Sequence, residues 1–386
     1  VLHPYQEFHR YLIYTVAATW RLWGITWDSI KLLLLAYLFL SCLAIYGICR
    51  LGMNPLLALA AALVFIFTPA VYTTLPILRD FAKAPFILGV VFILGHLVFK
   101  KNPPYRFLLY TFAAGLLLGI GMGIRRDMMV FLPVGIALIY AGKIKGPNYR
   151  FFFRLAASVL LLLTFVLAGW PIHKSLMRSG YLAAHDTIMG FSSYSDSETG
   201  LLSPASYEKH YLLNDMYSTI KAHYAAGMGA TFPKHIYQER AAEPAFDQEV
   251  KDAYVRKISF TFPADMISRT YAAILRATVG ISPTPLGIES FGFWFALMAL
   301  LIIAAQSPFR AWIALGILCY FCGYTSLQYA PRHAFHLCFV PFFFLGFLIQ
   351  QGLNYFRDNR LLGVDADTQI VPWHKRLQKP LLRAFV

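Results

Sequence analysis

Charge is scarce in this sequence. Only 14% of its 386 residues are charged, against 58% hydrophobic and 16% aromatic, and the mean hydropathy is +0.55. Soluble domains carry about a quarter charged residues, so an ordinary soluble domain is excluded and a polytopic membrane protein is expected. Acid is scarcer still: 19 Asp and Glu stand against 34 Lys and Arg, a formal net charge of +15. The basic residues lie in the connections between apolar runs, which points to a membrane and not to nucleic acid. Cysteine is limited to Cys42, Cys49, Cys319, Cys322 and Cys338, all inside apolar runs, so no structural disulfide is expected. "CYFC" at Cys319–Cys322 has redox-like spacing but reads as helix packing. Ser-His-Asp, HExxH and phosphate-loop signatures are also missing. "GIGMG" at Gly119–Gly123 imitates a nucleotide loop, but no strand precedes it.

What is present is length of apolar sequence. A helix needs about 20 mostly apolar residues to cross the hydrocarbon core. Nine runs qualify or nearly do: 30–49, 55–74, 82–99, 107–124, 128–142, 152–172, 290–306, 311–328 and 333–351. The fifth is short enough to be tilted or partly re-entrant. The expected fold is an all-α polytopic membrane protein with about nine transmembrane helices, interfacial amphipathic helices and one large extracytoplasmic loop. Its parts are an interfacial segment, 1–28; helices one to six, 29–172; the loop, 173–289; helices seven to nine, 290–352; and a tail, 353–386.

Orientation follows from lysine and arginine in the connections. Arg50, the basic residues of 100–106 and 143–154, Arg310 and the tail supply fifteen on one side; Arg79, Lys83, Arg125, Arg126 and Arg332 supply five on the other. The tail is therefore expected in the cytoplasm, and residues 1–28 and 173–289 outside it. The basic tail is a surface for anionic lipid or a protein partner.

The few outer charges defy this bias and recur beside the membrane. Arg79-Asp80 caps the second and third runs, Arg125-Arg126-Asp127 the fourth and fifth, and Arg332-His333 with His336 opens the ninth. Arginine at one helix end also snorkels to headgroups, and an Arg-Asp neighbour pair also neutralises itself. Three such turns together favour a shared anionic group, because the guanidinium fork binds phosphate bidentately and stays charged. Gly115, Gly119 and Gly123, four apart, allow a close helix neighbour and set where Arg125 points. Pro69, Pro85, Pro133, Pro171 and Pro341 are expected to kink helices near the outer face.

Aromatic, amphipathic stretches flank the spans. Residues 7–29, with Trp20, Trp23 and Trp27, suit a helix at headgroup level, and Asp247–Gly280 reads as two surface helices broken at Pro263. In the loop between, His185, Asp186, Asp196, Glu198, His210 and Asp215 show no familiar metal-ligand spacing. No metal site or cofactor is assigned, and a divalent-metal requirement stays open. The loop reads as a lid.

Taken in order, these stretches resemble the C-type membrane glycosyltransferases, which use lipid-phosphate-linked sugars. "HPYQEFHRYLIYTVAATWRLWGITW" is similar to the end of their first outer loop and its surface helix. "YTTLPILRDFAKAPFILGVVFIL" resembles their second outer loop, and "GLLLGIGMGIRRDMMVFLPVGIAL" their glycine-rich helix and basic turn, where lysine is common. "GWPIHKSLMRSGYLAAHDTIMGFSSYSDSETGL" looks like the segment after their central spans, and "AYVRKISFTFPADMISRTYAAIL" like the returning surface helix. "YAPRHAFHLCFVPFFFLGFL" resembles the late Arg-aromatic turn. The resemblance covers most of the chain in order and character. It implies transfer of a sugar from a polyprenyl-phosphate donor to an acceptor on the extracytoplasmic face, with membrane lipids and the donor as partners.

On that reading Arg125, Arg126, Arg332 and Arg79 bind the lipid phosphate, and His333 and His336 assist. The family's catalytic acid lies in the first outer loop behind a first transmembrane helix, so it is expected upstream of His3. Within the sequence Glu7, Asp80 and Asp127 are the weaker candidates. Two alternatives stay open: a non-catalytic, degenerate glycosyltransferase-like subunit that has lost the acid, and a transporter of lipid-linked or anionic solutes. No repeat relates the two halves, which disfavours the transporter.

Overall fold

The computed structural model describes residues 8–145, 150–179, 244–281 and 287–362, with a few short stretches between 187 and 202. Glu7, most of the loop and the tail beyond 362 lie outside the described residues. Among those described, the chain is helical with no strand; one parallel bridge joins Asn102 to Ile144.

Seven helical segments are long and apolar enough to cross a membrane: Trp27–Cys49, Leu78–Phe99, Pro104–Met122, Phe151–Ala168, Ile288–Gln306, Pro308–Gln328 and Pro331–Arg357. Their outward faces carry Phe39, Leu43, Leu163, Leu167, Trp294 and Leu301, each about half exposed or more. Water would not tolerate so much apolar surface, and lipid demands it. The chain is an all-α, multi-pass integral membrane protein.

The helices that position the charged turns are α1 (Arg10–Trp23), α2 (Trp27–Cys49), α3 (Pro55–Ile66), α4 (Pro69–Thr74), α5 (Leu78–Phe81), α6 (Ala84–Phe99), α7 (Pro104–Met122), α8 (Phe131–Ala141) and α9 (Arg150–Ala168). Past the loop come α10 (Pro244–Thr261), α11 (Pro263–Val279), α12 (Gly292–Gln306), α13 (Pro308–Gly323), α14 (Pro331–Ala334) and α15 (Val340–Leu362). The break at Pro263 falls where the sequence puts it.

Two of the nine runs are shorter as helices. Run 55–74 divides at Phe67-Thr68 into α3, of 12 residues, and α4, of 6. Run 128–142 opens as a 3-10 turn, Arg126–Val130, and leaves α8 with 11 residues. The prolines begin helices instead of kinking them: Pro69 and Pro85 sit in the first turns of α4 and α6, and Pro133 and Pro341 near the starts of α8 and α15. A first-turn N–H has no intrahelical partner, so proline loses nothing there.

The glycine face packs as its spacing implies. A Cβ on Gly115 would meet the Thr164 hydroxyl and the Leu161 carbonyl of α9, and one on Gly119 would stand 2.6 Å from the Phe165 carbonyl oxygen. Hence α7 and α9 lie almost backbone to backbone. Gly123 receives the Tyr11 ring instead, so the same glycine row also seats α1.

The bundle has two chemically distinct ends. At one, Lys83 opens α6 beside Asp127. At the other, the Lys143 amide donates to the Leu97 carbonyl and the Asn102 amide to the Lys143 carbonyl, both 2.9 Å. Residues 127–143 therefore run the length of α6, about 24 Å at 1.5 Å per residue.

Candidate functional site

The three charged turns meet at one end of the bundle. Asp80, in the single-turn helix α5, is fully buried. Arg125 pairs closely with its Oδ1, Arg79 Nε lies 3.5 Å from the same oxygen, and Arg332 Nε lies 3.7 Å from Oδ2. Arg125 Nε also donates to both oxygens of Asp127, at 3.2 and 3.1 Å. Lys83 Nζ donates to Asp127 Oδ2 at 2.9 Å. Four cations thus surround two carboxylates, and they differ in exposure: the Arg79 and Arg332 side chains are 40% and 43% exposed, those of Lys83 and Arg125 1% and 12%.

Each member is placed by local chain geometry. Asp80 and Lys83 share the tight turn that joins α5 to α6, where Phe81 stacks on Phe335 at 5.0 Å between ring centres. Arg125 follows Gly123 in extended backbone at the end of α7, its amide donating to the Gly121 carbonyl. Arg332 lies in α14, directly before the 3-10 turn of Phe335–Leu337. Burial opposes ionisation of Asp127, but Arg125 and Lys83 outweigh it and hold the carboxyl well below the usual carboxylate range.

The remaining expected residues lie around this cluster. The Arg126 guanidinium stands over the Phe8 ring at 5.0 Å. His333 is buried and donates from Nδ1 to the Gln328 carbonyl at 3.0 Å. His336 is fully buried, its Nε2 2.9 Å from the Tyr324 hydroxyl. Both histidines thus have partners inside the wall of the site. Glu7 falls outside the described residues. Among the described residues no three His, Cys, Asp or Glu gather to hold a metal ion.

Two features are not evident from sequence. Lys83, one more outer cation in an apolar stretch, is the buried partner of Asp127. The start of α1 and the residue before it also dock beside the cluster: His9 Nδ1 donates to the Ile124 carbonyl at 2.8 Å, the Tyr11 amide to the Gly123 carbonyl at 3.1 Å, and the Tyr11 hydroxyl to the Ala168 carbonyl at 2.6 Å. The aromatic-basic run 8–11 is the signal for this, though nothing in it names its acceptors.

Chemically, the buried Asp80 and the partly buried Asp127 fix the cations, and Arg79 and Arg332 are the more exposed members of the cluster. The sequence matches no protein-family profile, no curated protein and no solved structure.

Proposed function

We propose that the chain is a membrane glycosyltransferase of the C type, transferring a sugar from a polyprenyl-phosphate donor to an acceptor on the extracytoplasmic face. The observation that carries this reading is the gathering of Arg79, Arg125 and Arg332 around the buried Asp80, with Arg79 and Arg332 exposed at the mouth. Negative charge grows on the phosphate as the glycosidic bond breaks. Preorganised cations aimed at it stabilise the transition state, and loss of one such donor costs about 10²–10³ in rate. Arg79 and Arg332 contact the phosphate, Arg126 extends the basic rim, and Arg125 locks the cluster together.

Nine crossings accompany this reading, with the C-terminal tail cytoplasmic and the cluster outside. The run of 127–143 along α6 supports counting α8 with its 3-10 turn as a crossing. The amide of Asn54 bonds to Gln350 of α15, and the other end of the same run meets α14 and α5 beside the cluster. That supports counting α3 with α4.

One observation favours a second reading. Asp80 and Asp127 are both engaged in ion pairs, and a general base must reach the acceptor proton. Carboxylates so engaged do not suit that role, so a non-catalytic subunit that binds a lipid phosphate at the same cluster is the runner-up. Purified full-length protein, given a fluorescent polyprenyl-phosphate sugar and membrane acceptors, should release polyprenyl phosphate, and Arg332→Gln should slow it. Donor binding without turnover would select the subunit reading. Absence of donor binding would overturn both.

A further inference from the structure

A second charged site lies at the opposite end of the bundle. An open pocket of about 340 Å³ is formed where α2 and α6 end and α3 begins, against the middle of α15. Its walls hold Arg50, which follows α2, and Lys100, which follows α6, and among the described lining residues none is acidic. Lys100 follows α6 at its far end, about 26 Å along the helix from Lys83, so this pocket is separate from the carboxylate cluster.

The pocket is built and not merely basic. Arg50 Nη1 donates to the Met53 carbonyl at 2.5 Å, which folds the guanidinium over the turn between α2 and α3. Asn54 caps α3 through Oδ1, and its own amide donates to Gln350 Oε1 at 2.8 Å. Gln350 Nε2 then donates to Asn354 Oδ1 at 2.9 Å. The relay fixes which way each amide faces, and its last free donor group is the Asn354 NH₂. Here cations from two helix ends and an amide chain anchored on a third line one cavity.

We propose that this pocket binds a phosphate group, with Arg50 and Lys100 supplying charge and Asn354 a neutral donor. Guanidinium and ammonium groups together are matched to phosphate oxygens. The site lies at a helix-end level of the bundle, where headgroups of the bilayer stand. The phosphate comes either from an anionic lipid headgroup or from a soluble anion. The inference is independent of the function proposed for the opposite end.

Native mass spectrometry of the detergent-purified full chain, titrated with phosphatidylglycerol or phosphatidylcholine, tests this. Phosphatidylglycerol should be retained in preference. Lys100→Gln, at an exposed position, should cut that retention by about tenfold, the loss of one charge-assisted hydrogen bond. Arg50→Gln should do the same, with thermal unfolding as the check that it folds. Inorganic phosphate is the second probe. If it displaces the lipid, the site accepts phosphate from either source; if it does not, the lipid headgroup is the ligand. Two results would overturn the proposal. One is retention of phosphatidylglycerol no better than phosphatidylcholine, with no shift in thermal unfolding from phosphate. The other is preferential retention unchanged by Lys100→Gln but lost with Arg332→Gln, which would place the lipid at the carboxylate cluster.

Discussion

Lys83 Nζ lies 2.9 Å from the Asp127 carboxylate, joining residues 44 positions apart, and the lysine side chain is 1% exposed. Without that partner a lysine so buried would be left uncompensated. The pair ties the start of α6 to the turn that ends α7, and so fixes the spacing on which the arginine mouth depends.

Removing one partner should therefore cost more than removing both. Asp127→Asn leaves the buried Lys83 ammonium uncompensated and is expected to destabilise by about 3 kcal/mol; Lys83→Met with Asp127→Leu should recover most of that. Thermal unfolding of the four forms in one detergent gives the cycle. Acid sharpens the test. The Asp127 carboxyl is held below its usual range, so its contribution is complete above about pH 4 and is lost as pH falls further. Asp127→Asn should lack that part of the acid-side slope. Additive single losses would show that the pair is not coupled.

The glycine row gives a contrast between two positions. At Gly119 a Cβ would stand 2.6 Å from the Phe165 carbonyl oxygen and 2.7 Å from the Ala168 Cβ, whereas at Gly316 nothing lies within 4 Å. Gly119→Ala should cost about 1–3 kcal/mol, because the α7–α9 backbones must separate. Gly316→Ala should be neutral or gain up to about 1 kcal/mol from helix propensity. Equal melting temperatures for the two variants would refute the close packing.

These cases also show how far sequence carries. The apolar runs were legible because lipid imposes a length, and the break between α10 and α11 because Pro263 cannot continue a helix. Helix lengths inside runs 55–74 and 128–142 were not: Thr68-Pro69 interrupts the first without lowering hydrophobicity enough to divide it, and the 3-10 turn Arg126–Val130 takes Met128-Met129-Val130, as apolar as any helix, from the start of the second. The charged turns were conspicuous because they interrupt apolar sequence, and they do gather in space. Their pairing was hidden. Asp80 takes Arg125 from another turn as its closest partner, with neighbouring Arg79 at 3.5 Å, and Lys83 takes Asp127. Pairing over such separations is set by tertiary packing, which no local pattern records.

His9 should make the docking of α1 pH-dependent. Burial lowers its pKa, and Arg79, Arg125 and Arg126 add to the effect, while the bond to the Ile124 carbonyl opposes it. Its contribution is thus full above the ordinary value of about 6.5 and is lost as pH falls below that. Hydrogen exchange of the α1 amides, corrected for intrinsic rate, should be faster at pH 5 than at pH 8. His9→Gln, which has a donor but no titration, should remove the difference. Identical protection at both pH values in the unsubstituted protein would count against a buried neutral His9.

The last test separates the arginines by exposure. Arg125 is 12% exposed and bridges Asp80 and Asp127; Arg332 is 43% exposed and reaches Asp80 only at 3.7 Å. Arg125→Gln leaves the fully buried Asp80 without its nearest cation, so the principal loss should be in stability, by about 3 kcal/mol. Arg332→Gln removes a peripheral, solvated partner and should change stability by less than about 1 kcal/mol. If the mouth holds a phosphate whose charge grows during reaction, Arg332→Gln should nevertheless lower transfer by about 10²-fold with the melting temperature preserved. Arg79→Gln, with similar exposure, should behave in the same way. Unchanged transfer in both peripheral variants would leave the cluster as an ion-pair knot that holds α5, α7 and α14 together and binds nothing.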